Sequence, residues 1–315
     1  MPDEPAPGPL PVKLPVKHLL LALGGAATAY AAALLIWGDS PRTSLARLVS
    51  WTGLQAGALC LLNYLLRGMR WRLWMAHYGR HFGRWQGLRL YLAGYAFTPT
   101  PGNVGEAVRG MMLARQPLRA RQSLAIFGAE RLADLLCLLL LCLPAVGWAW
   151  ERGAMPGAPW LAGVLAGCVL SALLAAGVLL KSRPVLLQRL DWLREAWRCL
   201  SVRPLLWFTL TLAAWAAQGL AVWLICGENG VALGLLAASS TYAVAMVAGA
   251  LSALPAGLGG TEAVLAGLLA AQGATTAQAL GITVLARVLT LWLAVAIGIV
   301  ALLYSAAIAK EISFR

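Results

Sequence analysis

Residues 98–105 read TPTPGNVG and residues 254–261 read LPAGLGGT, and each sequence interrupts an otherwise apolar stretch of the chain. The two stretches cover residues 87–115 and 231–272. Proline removes a backbone N–H donor and glycine leaves the backbone unconstrained, so both clusters predict a broken helix rather than a bent one. The residues expected to form the two breaks are Pro99, Pro101, Gly102, Pro255, Gly257, Gly259 and Gly260.

The composition is that of a polytopic membrane protein. Of 315 residues, 60% are hydrophobic and only 12% are charged, which is about half the charged fraction of soluble domains. Apolar runs of about 20 residues suit helices that cross a bilayer, and the runs lack the period-two alternation of a barrel strand. We therefore expect an all-α fold with about six crossings plus two re-entrant hairpins at the broken stretches. The expected crossings are 18–38, 49–66, 120–148, 160–181, 203–226 and 276–309.

Basic residues flank these runs and give a formal net charge of +13. Membrane topology and anionic lipid headgroups explain this charge, so no nucleic acid partner is expected. If each broken stretch enters and leaves the membrane on the same side, all the segments rich in basic residues lie on the cytoplasmic side. Both termini are then cytoplasmic, residues 1–17 form a disordered tail, and the chain lies in a bacterial inner membrane. The sequence leaves the oligomeric state open.

The two broken stretches are related in sequence. Residues 98–135 placed on 254–291 without gaps match at 12 of 38 positions, and a Glu and an Arg stand 25 residues apart in both copies. We expect two halves, 18–150 and 151–315, each with three crossings and one hairpin, so that the second half is inverted in the membrane. The alternative is that proline and glycine kinks recur in unrelated membrane helices.

Charged residues inside the apolar zone are candidates for function, because an unpaired charge is costly there. Glu106 and Arg109 stand one turn apart and are able to pair, and the repeat suggests Glu106–Arg131 and Glu262–Arg287 as further pairs. The candidate substrate-binding residues are Asn103, Glu106, Arg109, Glu130, Arg131, Asp134, Glu262 and Arg287.

Broken helices and arginines together suit a phosphate group. Free helix N-termini favour an anion, and arginine donates bidentate hydrogen bonds to phosphate. The alternative is that the charged residues form structural ion pairs, and for Arg109 that its side chain reaches the membrane surface.

Two segments that mix arginine with aromatic residues, 67–89 and 183–201, indicate interfacial helices or plain positive-inside anchors. His77 and His81 lack a third ligand nearby, and the six cysteines form no CxxC pair. No metal and no cofactor are expected.

The ordered set of motifs resembles the lysylphosphatidylglycerol synthetase transmembrane family, which is flippase-like. The motifs are Asn103-x-x-Glu106-x-x-Arg109, Glu130-Arg131-x-x-Asp134, Pro255-x-Gly257-x-Gly259-Gly260-x-Glu262 and Arg287. The resemblance extends from about residue 18 over nearly the whole chain. It implies movement of a lipid between leaflets: an aminoacylated phospholipid, a polyisoprenyl-linked sugar or a hopanoid lipid. We expect a stand-alone member of the family without the soluble synthetase domain. Aminoacyl transfer, which resides in that domain in the fused proteins, is therefore not expected.

Three functions remain open. A lipid flippase explains the repeat, the breaks and the buried arginines together. A membrane enzyme acting on a lipid phosphate would use Glu106, Glu130 or Asp134 as acid or base, but no nucleophile is grouped with them. A non-catalytic partner that anchors a glycosyltransferase or another enzyme of lipid metabolism is the third. We expect a transporter rather than an enzyme, with anionic membrane lipids as its partners.

Overall fold

The described residues are 85% helical and contain no strand, so their fold is all-α. The tail at 1–17 and the expected crossings at 18–38 and 160–181 lie outside the described residues. The residues that the computed structural model describes are 46–111, 117–151, 191–252 and 254–313.

The helices are labelled here in chain order. They are α1 (Trp51–His77), α2 (Arg84–Ala93), α3 (Ala120–Glu151), α4 (Asp191–Ser201), α5 (Pro204–Glu228), α6 (Leu235–Leu251), α7 (Gly260–Ala271), α8 (Thr276–Arg287) and α9 (Leu293–Ser313). Tighter 3₁₀ segments cover Gly94–Phe97, Pro101–Gly110 and Pro255–Gly257. A π-helical turn, Val288–Trp292, joins α8 to α9.

Length and composition single out two membrane-spanning candidates among the described helices. They are Pro204–Glu228, which is α5, and Thr276–Ala307, which runs from α8 into α9. Of two shorter apolar helical segments, Leu235–Leu251 ends before the second break and Pro255–Ala271 begins inside it. Two of the described helices are therefore long and apolar enough to cross a membrane, and the shorter apolar helices are too short for a full crossing.

The core of the bundle is formed by α1, α3, α5 and α6. Helix α1 packs along α5, where the Asn63 Nδ2 atom donates to the carbonyl of Ala214 at 2.8 Å. Helix α6 packs against both α3 and α5. Helix α9 packs against the turn at Gly94–Phe97, where a Cβ on Gly298 would lie 2.5 Å from the Ala96 nitrogen. Only glycine allows this approach.

Helix α1 extends well beyond residue 66, where the apolar run ends. It continues to His77, so the expectation of a surface helix over 67–89 is wrong for its first part. Arg67 and Arg70 are 8% and 0% exposed. Their charges are buried because α3 supplies carboxylates to pair with them, a compensation between distant segments that a sequence pattern does not show.

Both broken stretches contain real interruptions. In the first, helical structure stops at Phe97 and resumes at Pro101, and Asn103 has a φ of +56°. In the second, α6 ends at Leu251 and α7 begins at Gly260, and the intervening Ala256 has a φ of +54°. The 3₁₀ segments of the two breaks lie against each other. The fold thus brings together two regions that are far apart in sequence.

Candidate functional site

A cavity of about 370 Å³ lies beside the two breaks. Both breaks line it, together with side chains of α1, α3, α5, α6 and the π-helical turn. Its polar lining residues include Arg67, Asn103, Glu106, Arg131, Asp134, Gln218, Thr261 and Arg287. Its aromatic lining residues are Tyr64, Tyr95, Trp215 and Tyr242.

Asp134 on α3 is held by two arginines of α1. Its Oδ2 and Oδ1 atoms accept from Arg67 Nη2 and Arg70 Nη1, both at 2.7 Å. The indole N–H of Trp215 adds a longer contact to Oδ1 at 3.3 Å. Arg70 Nη1 also donates to the Thr211 hydroxyl at 2.9 Å. Charge-assisted bonds of this kind tie α1, α3 and α5 together inside the bundle.

Glu106 in the first break is held in a similar way. Its Oε1 atom accepts from the Thr98 hydroxyl at 2.9 Å, and its Oε2 atom lies 2.5 Å from Arg109 Nη2. Arg109 reaches Glu130 Oε1 at 3.3 Å and lies over the ring of Tyr91 at 4.5 Å. Arg109 is 5% exposed, so the alternative that it reaches the membrane surface is wrong. It is retained inside because two carboxylates pair with it.

Arg131 differs from the other arginines of this cluster. Its Nη2 atom lies 3.5 Å from Glu106 and 3.4 Å from Asp134, and its side chain is 31% exposed and lines the cavity. Its Nε and Nη2 atoms donate no hydrogen bond to any residue that the structure describes. Arg131 is therefore the cation of the cluster that is best placed to meet a ligand in the cavity.

The first cluster carries excess positive charge. Among the described residues it holds four arginines, Arg67, Arg70, Arg109 and Arg131, and three carboxylates, Glu106, Glu130 and Asp134. With all seven groups ionised, the formal charge is +1, from four minus three. A buried excess charge of this kind favours an anion.

The second break contains a closed ion pair. Arg287 Nε donates to Glu262 Oε1 at 2.6 Å, and Arg287 Nη2 donates to the carbonyl of Ala256 at 2.9 Å. Glu262 Oε2 in turn accepts from the Gly259 N–H at 2.7 Å and so caps α7. The pair carries no net charge, and its hydrogen bonds to the Gly259 N–H and the Ala256 carbonyl fix the backbone of the break.

The structure brings all eight candidate residues into this region. Those that line the cavity are Asn103, Glu106, Arg131, Asp134 and Arg287. Arg109 and Glu130 are buried behind them, and Glu262 lies behind Arg287. Each pair that the repeat suggested is present, Glu106–Arg131 at 3.5 Å and Glu262–Arg287 at 2.6 Å. A role in binding substrate remains a prediction for every one of them.

Sequence reasoning missed Arg67, Arg70 and the aromatic lining of the cavity. A signal for the two arginines exists, because Asn63, Arg67, Arg70 and Trp74 follow one another at helical spacing. Residues at such spacing share one face of a helix. When a polar helix face begins inside an apolar run and continues beyond its end, the pattern indicates that this face is buried against another polar segment. Among the described residues, no group of three His, Cys, Asp or Glu is arranged to hold a metal.

Apolar helices that surround a charged cavity define an all-α membrane protein, in which helix breaks and buried ion pairs shape one polar site. The chain belongs to the family described as the lysylphosphatidylglycerol synthase TM region, whose model matches residues 20–298. No curated protein matches the sequence. The family places the chain among lipid-related membrane proteins.

Proposed function

We propose that this protein is a lipid flippase, which moves a phosphate-bearing lipid between the leaflets of a bacterial inner membrane and is not an enzyme. The observation that carries the proposal is the cavity beside the two breaks, with its excess positive charge and the partly exposed Arg131. The lipid is an aminoacyl-phospholipid, a polyisoprenyl-linked lipid or a hopanoid-type lipid.

The size and polarity of the cavity suit a lipid headgroup. Its volume of about 370 Å³ lies within the range of small-molecule sites. A phosphate that crosses hydrocarbon without a partner faces a large desolvation penalty. A polar cavity lowers this barrier for the headgroup, while the acyl or prenyl tails stay in the surrounding lipid.

Arg131 is the residue we assign to the phosphate. A guanidinium binds phosphate oxygens through two parallel N–H donors. Without Arg131, Glu106 retains Arg109 and Asp134 retains Arg67 and Arg70. The fold therefore does not depend on Arg131 to neutralise a buried carboxylate, which supports a role in binding.

The two breaks support the inverted repeat and the alternating access that follows from it. The equivalent pairs Glu106–Arg131 and Glu262–Arg287 each join a break to the helix that follows. Two inverted halves, 18–150 and 151–315, with six crossings, two hairpins and cytoplasmic termini, would open the cavity to either side in turn.

The enzymatic alternative finds less support. In the described part of the cluster, each carboxylate lies within 4 Å of an arginine, an arrangement that holds it in ion pairs rather than presenting it to a substrate. The alternative of an anchoring partner for a lipid-pathway enzyme gives the charged cavity no role.

The test is leaflet exchange of fluorescent lipids, followed by dithionite quenching, in liposomes that contain the purified protein. We expect exchange of a phosphate-bearing lipid, and its loss in Arg131→Ala. The matched control is Arg198→Ala, which removes a cation whose side chain is 52% exposed and lies outside the cavity. Chemical turnover of the lipid would identify an enzyme instead. Absence of both, with co-purification of an enzyme of lipid metabolism, would support the anchoring role.

A further inference from the structure

We infer that the π-helical turn Val288–Trp292 is a hinge, and that the Tyr64 hydroxyl is the latch that holds it in its present conformation. The hinge joins the bundle that contains α8 to a smaller group formed by α2, α9 and the turn Gly94–Phe97. Tyr64 is thus a positioning residue, which acts on the backbone and not on a ligand. The inference goes beyond the proposed transport function, because it concerns a motion that is measurable without any lipid substrate.

The π-helical turn frees a backbone carbonyl that a regular helix would pair. Within the turn, the N–H of Leu293 donates to the carbonyl of Val288, five residues earlier in the chain. Where this bonding returns to the four-residue spacing of α9, one carbonyl loses its helical donor. A carbonyl inside the hydrocarbon region needs another donor, because no water is present there to replace it. Turns of this kind are rare in helices and occur frequently at functional sites.

The missing donor is supplied by α1. The Tyr64 hydroxyl donates to the carbonyl of Leu289 at 2.9 Å, and the carbonyl of Thr290 lies 3.4 Å away. On the same helix, Asn63 bonds to α5 and Arg67 bonds to α3, so Tyr64 stands on an element that is held on two sides. Because Tyr64 is 2% exposed, loss of its hydroxyl would leave a buried carbonyl without this donor.

The helices before and after the turn pack against different neighbours. Before it, α8 packs against α5 and α7, and the Gln278 Nε2 atom donates to the carbonyl of Asn229, just after α5, at 2.9 Å. After it, α9 packs against α2 and the turn Gly94–Phe97. The guanidinium carbon of Arg89 on α2 lies 5.4 Å from the ring centroid of Tyr304 on α9. Since a π-helical turn bends a helix, it allows these two groups to change their relative angle.

Motion at the turn would change the shape of the cavity. Tyr64, Thr290 and Leu291 line it, and the turn Gly94–Phe97 leads directly into the first break. A change of angle between α8 and α9 therefore moves one wall of the cavity, together with the chain that enters the first break.

At the equivalent position the first half of the repeat is a regular helix. When residues 98–135 are placed on 254–291, the segment 288–291 corresponds to 132–135. These residues lie within α3, which continues as a helix from Ala120 to Glu151. Asp134 in that segment is fixed by two arginines, and Thr290 takes its place in the turn. The second half therefore bends where the first half is held in place.

The experiment measures the distance across the hinge in the full chain in liposomes. Spin-labelled unnatural amino acids replace Ala277 of α8 and Val300 of α9, which are both exposed, and double electron–electron resonance gives their separation. We expect Tyr64→Phe to change the ratio of bent to straightened hinge by about fivefold, since it removes one hydrogen bond and retains the ring. The matched control is Tyr91→Phe, which should leave the ratio unchanged. Its hydroxyl is equally buried but bonds to Tyr95, within the smaller group, at 3.0 Å.

Deletion of Thr290 provides a second test. A π-helical turn contains one residue more than the regular turn it replaces, so this deletion should convert the hinge into a continuous helix. The two labelled positions should then show a single separation of about 33 Å along the backbone, and lipid exchange should be lost.

A Tyr64→Phe variant with the distance distribution of the wild type overturns the inference, and continued lipid exchange in that variant leaves the flippase intact. A shifted distribution without exchange of any lipid supports the hinge and overturns the proposed function instead. A folded Thr290 deletion that still exchanges lipid at the wild-type rate also contradicts the hinge. If the deletion variant does not fold, Tyr64→Phe decides by itself.

Discussion

The two breaks contain related residues but use them differently. At the first break, Arg131 shares its carboxylates with three other arginines and makes only long contacts of 3.4 and 3.5 Å. At the second, Arg287 has Glu262 at 2.6 Å and also holds the carbonyl of Ala256. One copy of the motif therefore leaves a cation facing the cavity, and the other stabilises the backbone. Equivalent positions in a repeat need not share a function, because the neighbouring charges decide whether an arginine faces the cavity or stabilises the backbone.

The largest effect is expected when the second break loses one ionic partner. Arg287→Ala leaves Glu262 without a cation and removes a donor from the Ala256 carbonyl. Loss of one partner of a buried ion pair costs about 3–5 kcal/mol. Denaturation by SDS in mixed micelles measures the loss. The double variant Arg287→Met/Glu262→Gln should recover part of it, because no charge is then left unpaired. A double variant no more stable than Arg287→Ala would contradict this role of the pair.

A steric change between α6 and α7 should have the next largest effect. A Cβ on Gly249 of α6 would lie 1.9 Å from the Thr261 hydroxyl of α7, and Thr261 is 1% exposed. Gly249→Ala should destabilise the protein by about 1–3 kcal/mol, as overpacking does, and SDS denaturation again measures the loss. The matched control is Gly267→Ala on α7, where a Cβ would meet nothing within 4 Å. The control should be neutral or stabilising by up to about 1 kcal/mol. Equal losses in the two variants would show that α6 and α7 do not pack as described.

The smallest effect compares left-handed residues in the two breaks. Asn103 and Ala256 have φ values of +56° and +54°, a conformation that asparagine tolerates better than alanine. Ala256→Gly should stabilise the protein by about 0.5 kcal/mol, after the greater entropy of glycine in the unfolded chain is deducted. Asn103→Gly should give no gain. The same denaturation assay tests both variants. A larger gain in stability for Asn103→Gly than for Ala256→Gly would contradict the expectation that the backbone is more strained at Ala256.

Much of this architecture can be predicted from the sequence because its causes are local. Proline and glycine clusters locate both breaks, apolar runs locate α5 and α9, and the spacing of the repeat suggests the pair Glu262–Arg287. The exceptions depend on contacts between distant segments. Arg67 and Arg70 lie in a segment with the composition of a surface anchor. Their burial is favourable because Asp134, 67 and 64 residues away, pairs with both of them. The same holds for Arg109, whose second carboxylate, Glu130, comes from α3.

The difference between Arg131 and Arg287 can be tested by measuring stability and lipid exchange together on Arg131→Gln and Arg287→Gln. Arg131→Gln should abolish exchange of the phosphate-bearing lipid while changing the free energy of unfolding by less than about 1 kcal/mol, since the carboxylates beside Arg131 keep other arginine partners. Arg287→Gln should lose several kcal/mol of stability, and any decrease in its exchange should follow the loss of folded protein. Full exchange by a stably folded Arg131→Gln variant would contradict the assignment of Arg131 to the lipid phosphate.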